Sequence, residues 1–208
     1  MSGLNEFMHQ REILKQLRRT CASGGTSLAV EFDRLLEFDI ELARNLFYQP
    51  NEFFKEANGI LEQITKILGM RLAVRGLDKT LAVDDLRANH IDKFIEIRGT
   101  TTMLGFNKLI RVEGYGETKE FDDFQRLLID DCLTVVLKGD LVGTVKEGES
   151  ATITGILGAV NEGSVYGYAL VANHIEVNGH APGPREPSPH DFGEGSDGPG
   201  ADKEKREV

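Results

Sequence analysis

Up to about residue 69, apolar side chains recur every three or four positions. Leu4, Phe7, Met8, Leu14 and Leu17 keep that spacing over residues 4–19, and Glu6, Arg11, Glu12, Lys15 and Arg18 fall largely between them, which predicts one amphipathic helix. Cys21 to Ser27 is turn chemistry, and Leu28 to Phe32 reads as a short extended segment. The helical period then returns. Asp39 is placed to cap a helix with Ile40, Leu42, Ala43, Leu46 and Phe47 on its apolar side, which Pro50 ends. Asn51 caps the next, with Phe54, Ala57, Leu61, Ile64 and Leu68 on one stripe and Gly69 as its stop. Three helices are therefore expected over residues 1–69.

From residue 71 the period changes to two. Arg71 to Val74 reads as a strand, Asp84 to Asn89 as a helix of little more than one turn, and Phe94 to Arg98 alternates again. Further strand candidates are 109–112, 124–129, 133–137, 151–157 and 166–177, each bounded by Gly, Asp or Asn. Five or six strands in some 85 residues suggest a small Greek-key barrel, for which the OB-fold is the common five-stranded solution. The expected fold class is α+β: a helical subdomain over residues 1–75, a five-stranded OB barrel over 76–177 and a tail over 178–208. That tail holds five of the six prolines and little apolar area, so disorder is expected there, with docking to a partner as the alternative.

Charge narrows the function. With 24 Lys+Arg against 34 Asp+Glu, the net charge of −10 argues against coating nucleic acid by bulk electrostatics, so any such contact must be local. The two cysteines, Cys21 and Cys132, have no CxxC spacing, and no phosphate loop, GxSxG, HExxH or GxGxxG is present. No apolar run approaches a membrane span and no secretory leader is visible, which gives a cytoplasmic protein without membrane contact as the expectation.

Three blocks in order carry a resemblance. They are Phe38 to Pro50, Leu81 to Gly99 (LAVDDLRANHIDKFIEIRG), and a split set comprising Phe121 to Arg126, Gly139 to Leu157 (GDLVGTVKEGESATITGIL) and Ala172 to Val177 (ANHIEV). Over roughly residues 28–177 the chain resembles the N-terminal domain of archaeal-type minichromosome maintenance (MCM) replicative helicases. The resemblance implies a helical subdomain on an OB barrel, a role in DNA replication, ring-forming relatives and single-stranded DNA contact.

The departures from the family pattern matter as much. Met103 to Glu120, where the family usually inserts a zinc ribbon, contains no Cys or His, so no metal and no cofactor is expected; the chain should turn back through Gly105 and Gly114-Tyr-Gly116. The family's basic channel hairpin corresponds to Gly158 to Gly167, which has Glu162 and no basic residue, and a second contact region is the acidic Asp130-Asp-Cys-Leu133. Arg98, Lys108, Arg111, Lys119, Arg126 and Lys138 remain as candidate DNA-binding cations, with Tyr115, Tyr166 and Tyr168 as candidate stacking partners. Scattered solvated charges are the competing reading. Arg98 beside Gly99 reads either as a place where a phosphate or base approaches the sheet or as a structural salt bridge. His90 and His174 read as hydrogen-bonding residues at element ends.

The expected function is that of a non-catalytic MCM N-terminal-like module. It would associate with MCM-family or other replication proteins, or bind single-stranded DNA weakly, with a homo-oligomer open. The alternatives are a generic OB adaptor unconnected with replication and, least favoured, an enzyme holding Mg²⁺ on Asp122, Asp123, Asp130, Asp131 and Asp140.

Overall fold

The computed structural model describes residues 2–113, 118–162 and 165–180. The first helical stretch is two helices, α1 (Ser2–Met8) and α2 (Arg11–Ala22), broken at His9 and Gln10. A continuous helix would set Ile13 about a third of a turn around from Phe7; the break lets Leu4, Phe7, Met8, Ile13 and Leu17 enter one core. After β1 (Ser27–Glu31), Phe32 opens a further helix, α3 (Phe32–Phe38), rather than ending the strand, because Phe32 and Leu35 are both drawn into that core. Asp39 does cap α4 (Ile40–Tyr48), its Oδ1 accepting from the N–H groups of Glu41 at 2.8 Å and Leu42 at 3.3 Å.

Pro50 ends α4, leaving Gln49 outside the α region at φ −138° and ψ 56°, and also begins α5 (Pro50–Thr65), for which Gln49, not Asn51, is the N-cap. The first helical position has no intrahelical use for an N–H, so proline is suited to it. The helix stops at Lys66, in the left-handed region at φ 59°, ahead of Gly69, whose N–H donates to the Glu62 carboxylate. β2 (Arg71–Arg75) then returns parallel to β1. The described residues up to 75 thus hold five helices where three were expected, and the extended segments expected at 28–32 and 71–74 pair as a two-stranded sheet.

The remainder is strand-rich. β3 (Thr80–Leu81) is followed by two single 3-10 turns, Val83–Asp85 and Ala88–His90, in place of the short α-helix expected at 84–89. β4 (Phe94–Glu113) is one long strand that absorbs the separate segment expected at 109–112. β5 (Thr118–Ile129), β6 (Leu133–Lys138), β7 (Glu149–Glu162) and β8 (Val165–His180) complete the set. Gly105 is not a turn: it sits inside β4 at a register shift, with φ 130°. Gly114 to Gly116 lie outside the described residues, as do 181–208 of the expected tail, whereas Asn178 to His180 belong to β8.

Pairing runs β3-β4-β5-β6-β8-β7, and β7 also pairs with β4. The β6–β8 pair is parallel; β4–β5, β5–β6, β7–β8 and β4–β7 are antiparallel. Two apolar cores result. One lies among the helices, β1 and β2, the other among Ile95, Ile97, Leu127, Ile129, Val135, Ile153 and their neighbours. Phe94 crosses between them, at the start of β4 yet in the helical core, with its ring centroid 5.1 Å from that of Phe54.

Candidate binding surfaces

The two cores meet at the edge of β2 that faces away from β1. Leu72 and Val74 are buried, so their outward backbone groups need partners. Asn58 Oδ1 accepts from the Leu72 N–H at 2.8 Å, and Asn173 completes the edge: Oδ1 accepts from Val74 N–H at 2.8 Å while Nδ2 donates to Leu72 O at 2.9 Å. Asn173 reaches β2 because it is the extra residue of a β-bulge. Thr154 pairs with His174 and Gly155 with Ala172, leaving Asn173 unpaired in the ladder and turned toward the helical half. Opposite it, Thr154 Oγ1 donates to Val74 O at 2.6 Å, and a Cβ on Gly155 would lie 2.4 Å from Val171 O. The bulge therefore requires glycine at 155.

Other residues of the three sequence blocks serve the same framework. Buried Glu96 accepts from the N–H groups of Gly76 and Leu77 at 3.2 Å each and from Thr80 Oγ1 at 2.6 Å. Buried Gln125 accepts from the Gly143 N–H at 2.8 Å, fixing the turn after β6. Arg71 pairs with Asp140 at 2.7 Å and donates to Asn173 O. His90 Nδ1 accepts from Arg87 N–H at 3.0 Å, an element-end role as expected.

Beside this junction lies a polar cleft of about 280 Å³, lined by Arg75, Glu96, Arg98, Thr152, His174 and Glu176 among others. Its histidine is held neutral: burial first, then the charges of Arg75 and Arg71, push the His174 imidazole below its usual pKa. Arg75 is paired with Glu31 at 2.6 Å, and Arg98 Nε donates to Thr152 Oγ1 at 3.3 Å. Of the two readings of Arg98 and Gly99, ligand approach beside the glycine meets a space filled from within. A Cβ there would lie 2.4 Å from Ile129 Cγ2 and 2.5 Å from Asp130 Oδ2, and Asp130 Oδ1 accepts the Thr100 N–H at 2.8 Å.

A second surface lies over β5 and β6, next to the β7–β8 hairpin. This groove, of about 390 Å³, is lined by Arg126, Cys132, Thr134, Val136, Val160 and Tyr168 with adjoining backbone. Register sets Arg126 opposite Val136 and Phe124 opposite Lys138, so both cations stand on the outer face while Gln125, Leu127 and Leu137 point inward. Arg126 lies over the Phe124 ring, 5.6 Å from its centroid. Val171, the register partner of Val136, extends the apolar strip at 43% exposure, and Tyr168 is 37% exposed.

The candidate cations are thus divided. Arg126 and Lys138 share one face; Arg98 is in the polar cleft. Lys108 and Arg111 lie along β4 opposite Asp123 and Glu120, and Lys119 lies on β5 opposite Val112; their side chains, like those of Tyr115 and Tyr166, fall outside the described residues. Of the acidic residues considered for Mg²⁺, Asp130 accepts from Thr100 N–H, Asp131 accepts from Thr102 Oγ1 at 2.9 Å and Asp140 pairs with Arg71, while the side chains of Asp122 and Asp123 fall outside the described residues. Sequence reasoning quoted Asn173 and Glu96 inside motifs without assigning them a role. Asn58 it passed over, because a lone Asn within a helical pattern carries no signal.

A helical half is thus joined through a bulged strand to a six-stranded sheet that holds two parallel pairs, β3–β4 and β6–β8, which makes this a mixed helix-and-sheet fold. Among solved structures, the chain is similar to the 1.8 Å crystal structure of the N-terminal domain of an archaeal MCM, with TM-score 0.72 and 14% identity over 85% of this chain and 97% of that one. At that identity the likeness is one of fold. The chain matches no family model and no curated protein. Among the described residues no helix is long and apolar enough to cross a membrane.

Proposed function

We propose that this chain is a non-catalytic, MCM N-terminal-like assembly module of the DNA-replication machinery, whose strands form an OB-type barrel and whose groove over β5 and β6 docks a protein partner. The observation that carries this reading is the extent of the likeness, which runs across both halves and 97% of the archaeal domain. The pairing order supports the barrel, since it returns from β7 to β4 and includes the parallel β6–β8 pair. In OB-folds the face of the second and third strands, with the loops beside it, is the usual binding surface. Here that face is largely apolar, with Val136, Val160, Val171 and Tyr168 outnumbering its cations, which favours a polypeptide over a phosphate backbone.

The test is size-exclusion chromatography with light scattering of this chain mixed with an archaeal-type MCM N-terminal ring. Co-elution is expected, and Val171→Glu should abolish it by placing a charge in the apolar strip. No complex at tens of micromolar, or a complex indifferent to Val171→Glu, refutes the reading. A second reading, weak single-stranded DNA binding on the same face, has support in the neighbouring cations Arg126 and Lys138 and in Tyr168, which lines the groove with Arg126. Anisotropy of a labelled oligonucleotide with Arg126→Ala and Tyr168→Ala variants distinguishes the two.

A further inference from the structure

The most concentrated positive charge on the described surface lies on none of the strands. It is on α2, where Arg11, Lys15, Arg18 and Arg19 stand exposed against a single carboxylate, Glu12. Positions 11, 15 and 18 follow the helical repeat, so their side chains share one face, with Arg19 beside Lys15. That face lies away from the buried Ile13 and Leu17. Glu12 is drawn off to Arg34, 2.5 Å away, and among the described residues none of the four cations makes an ion pair. They border a shallow groove of about 600 Å³ together with His9, Leu14 and Ala22, and His9 also borders a neighbouring groove that reaches Lys66.

In a chain of net charge −10, four adjacent cations without carboxylate partners carry a repulsive energy that an anionic ligand would relieve. We infer that the solvent face of α2 is a binding surface for the phosphate backbone of duplex DNA. Two observations select the duplex. Neither groove is lined by an aromatic side chain, so there is no platform for unstacked bases, the usual feature of single-strand sites. The row from Arg11 to Arg19 rises about 12 Å along the helix, which spans roughly three or four phosphates of one duplex strand at about 3.4 Å each. Contacts of this kind position a protein on DNA without reading sequence. The surface is separate from the groove over β5 and β6, and it stands or falls independently of the function proposed above.

The test uses the full chain and a labelled duplex of about 30 base pairs, followed by anisotropy at 50 and 200 mM salt. Four phosphate contacts predict a fall in affinity of roughly 150-fold across that range. Lys15→Gln/Arg18→Gln, two exposed changes that leave the core untouched, should bind more weakly at 50 mM and lose only about 12-fold over the same range, as two contacts require. An unchanged salt slope in that variant, or loss of duplex binding in Arg126→Ala/Lys138→Ala instead, places the contact elsewhere and overturns the inference. So does the absence of duplex binding at 50 mM. Tight binding of poly-glutamate by a chain that ignores DNA would identify an acidic polypeptide as the ligand and likewise overturn it.

Discussion

Asn173→Ala tests the joint between the two halves directly. The substitution leaves the β7–β8 ladder intact, because Asn173 is the bulged residue, and it leaves the carbonyl that Arg71 uses. What it removes is the pair of side-chain bonds to Val74 N–H and Leu72 O, both on buried residues of β2. Each orphaned buried group costs about 1–3 kcal/mol, so the loss should be about 2–6 kcal/mol. For a domain of this size roughly 2–4 °C accompanies each kcal/mol, which predicts a fall in Tm of about 4–24 °C. Urea unfolding and thermal melts followed by circular dichroism measure the two. Asn178→Ala is the control, since it removes one exposed bond to Thr152 and should change stability little. Asn173→Asp keeps the acceptor for Val74 but sets a carboxylate oxygen against Leu72 O, so it should not rescue. A loss below about 0.5 kcal/mol in Asn173→Ala, or a stable Asn173→Asp, would refute the idea that this side chain completes the β2 edge.

Gly155→Ala should destabilise by about 1–3 kcal/mol, because its Cβ meets the Val171 carbonyl oxygen at 2.4 Å, whereas Gly158→Ala, with Ala169 O at 3.8 Å, should be nearly neutral; equal effects in thermal melts would contradict the bulge argument. His174 gives a pH signature. Burial and then Arg75 and Arg71 lower its folded pKa, and Glu176 and Glu31 oppose this without reversing it. The unfolded chain therefore binds the proton first as pH falls below about 6.5, so stability is full above that value and declines toward the lowered folded pKa. Urea midpoints at pH 7, 6 and 5 should show a smaller decline in His174→Gln than in the parent; parallel declines would exclude His174 as the source.

The strands were legible because alternation and the Gly, Asp and Asn punctuation around them are local signals; the Asp39 cap was legible for the same reason. The breaks in the helical half were not. Whether residues 4–19 form one helix or two depends on where Ile13 must point to enter the core with Phe7, a tertiary condition, and the stop at Pro50 was legible while its second role, opening α5, was not. The candidate site divided along the same line. Arg126 and Lys138 come together because register aligns them, but nothing local in the sequence separates them from Arg98, which points outward as they do but over the β4–β7 pair, in the polar cleft. Asn173 and Gly155 stood inside blocks whose resemblance was visible, and their role needed the pairing of strands about twenty residues apart. Those blocks encode the joint between the halves, so likeness in them tracks architecture more than DNA contact.

β4 also has a mechanical meaning. Twenty extended residues span about 66 Å at 3.3 Å each, and the strand is anchored at one end by Phe94 in the helical core. From Phe94 to Thr100 it is bound to β7, and beyond Gly105 its ladder partner is β5. At Gly105 the register slips, φ is 130°, and a Cβ would meet no heavy atom within 4 Å. Gly105 itself lies opposite Arg126, where β5 is still braced by β6, and the brace ends at the Phe124–Lys138 pair. Beyond it the outer β4–β5 hairpin is an arm held by its own ladder, so a load on the arm passes into the β5–β6 ladder before it reaches the segment anchored by Phe94.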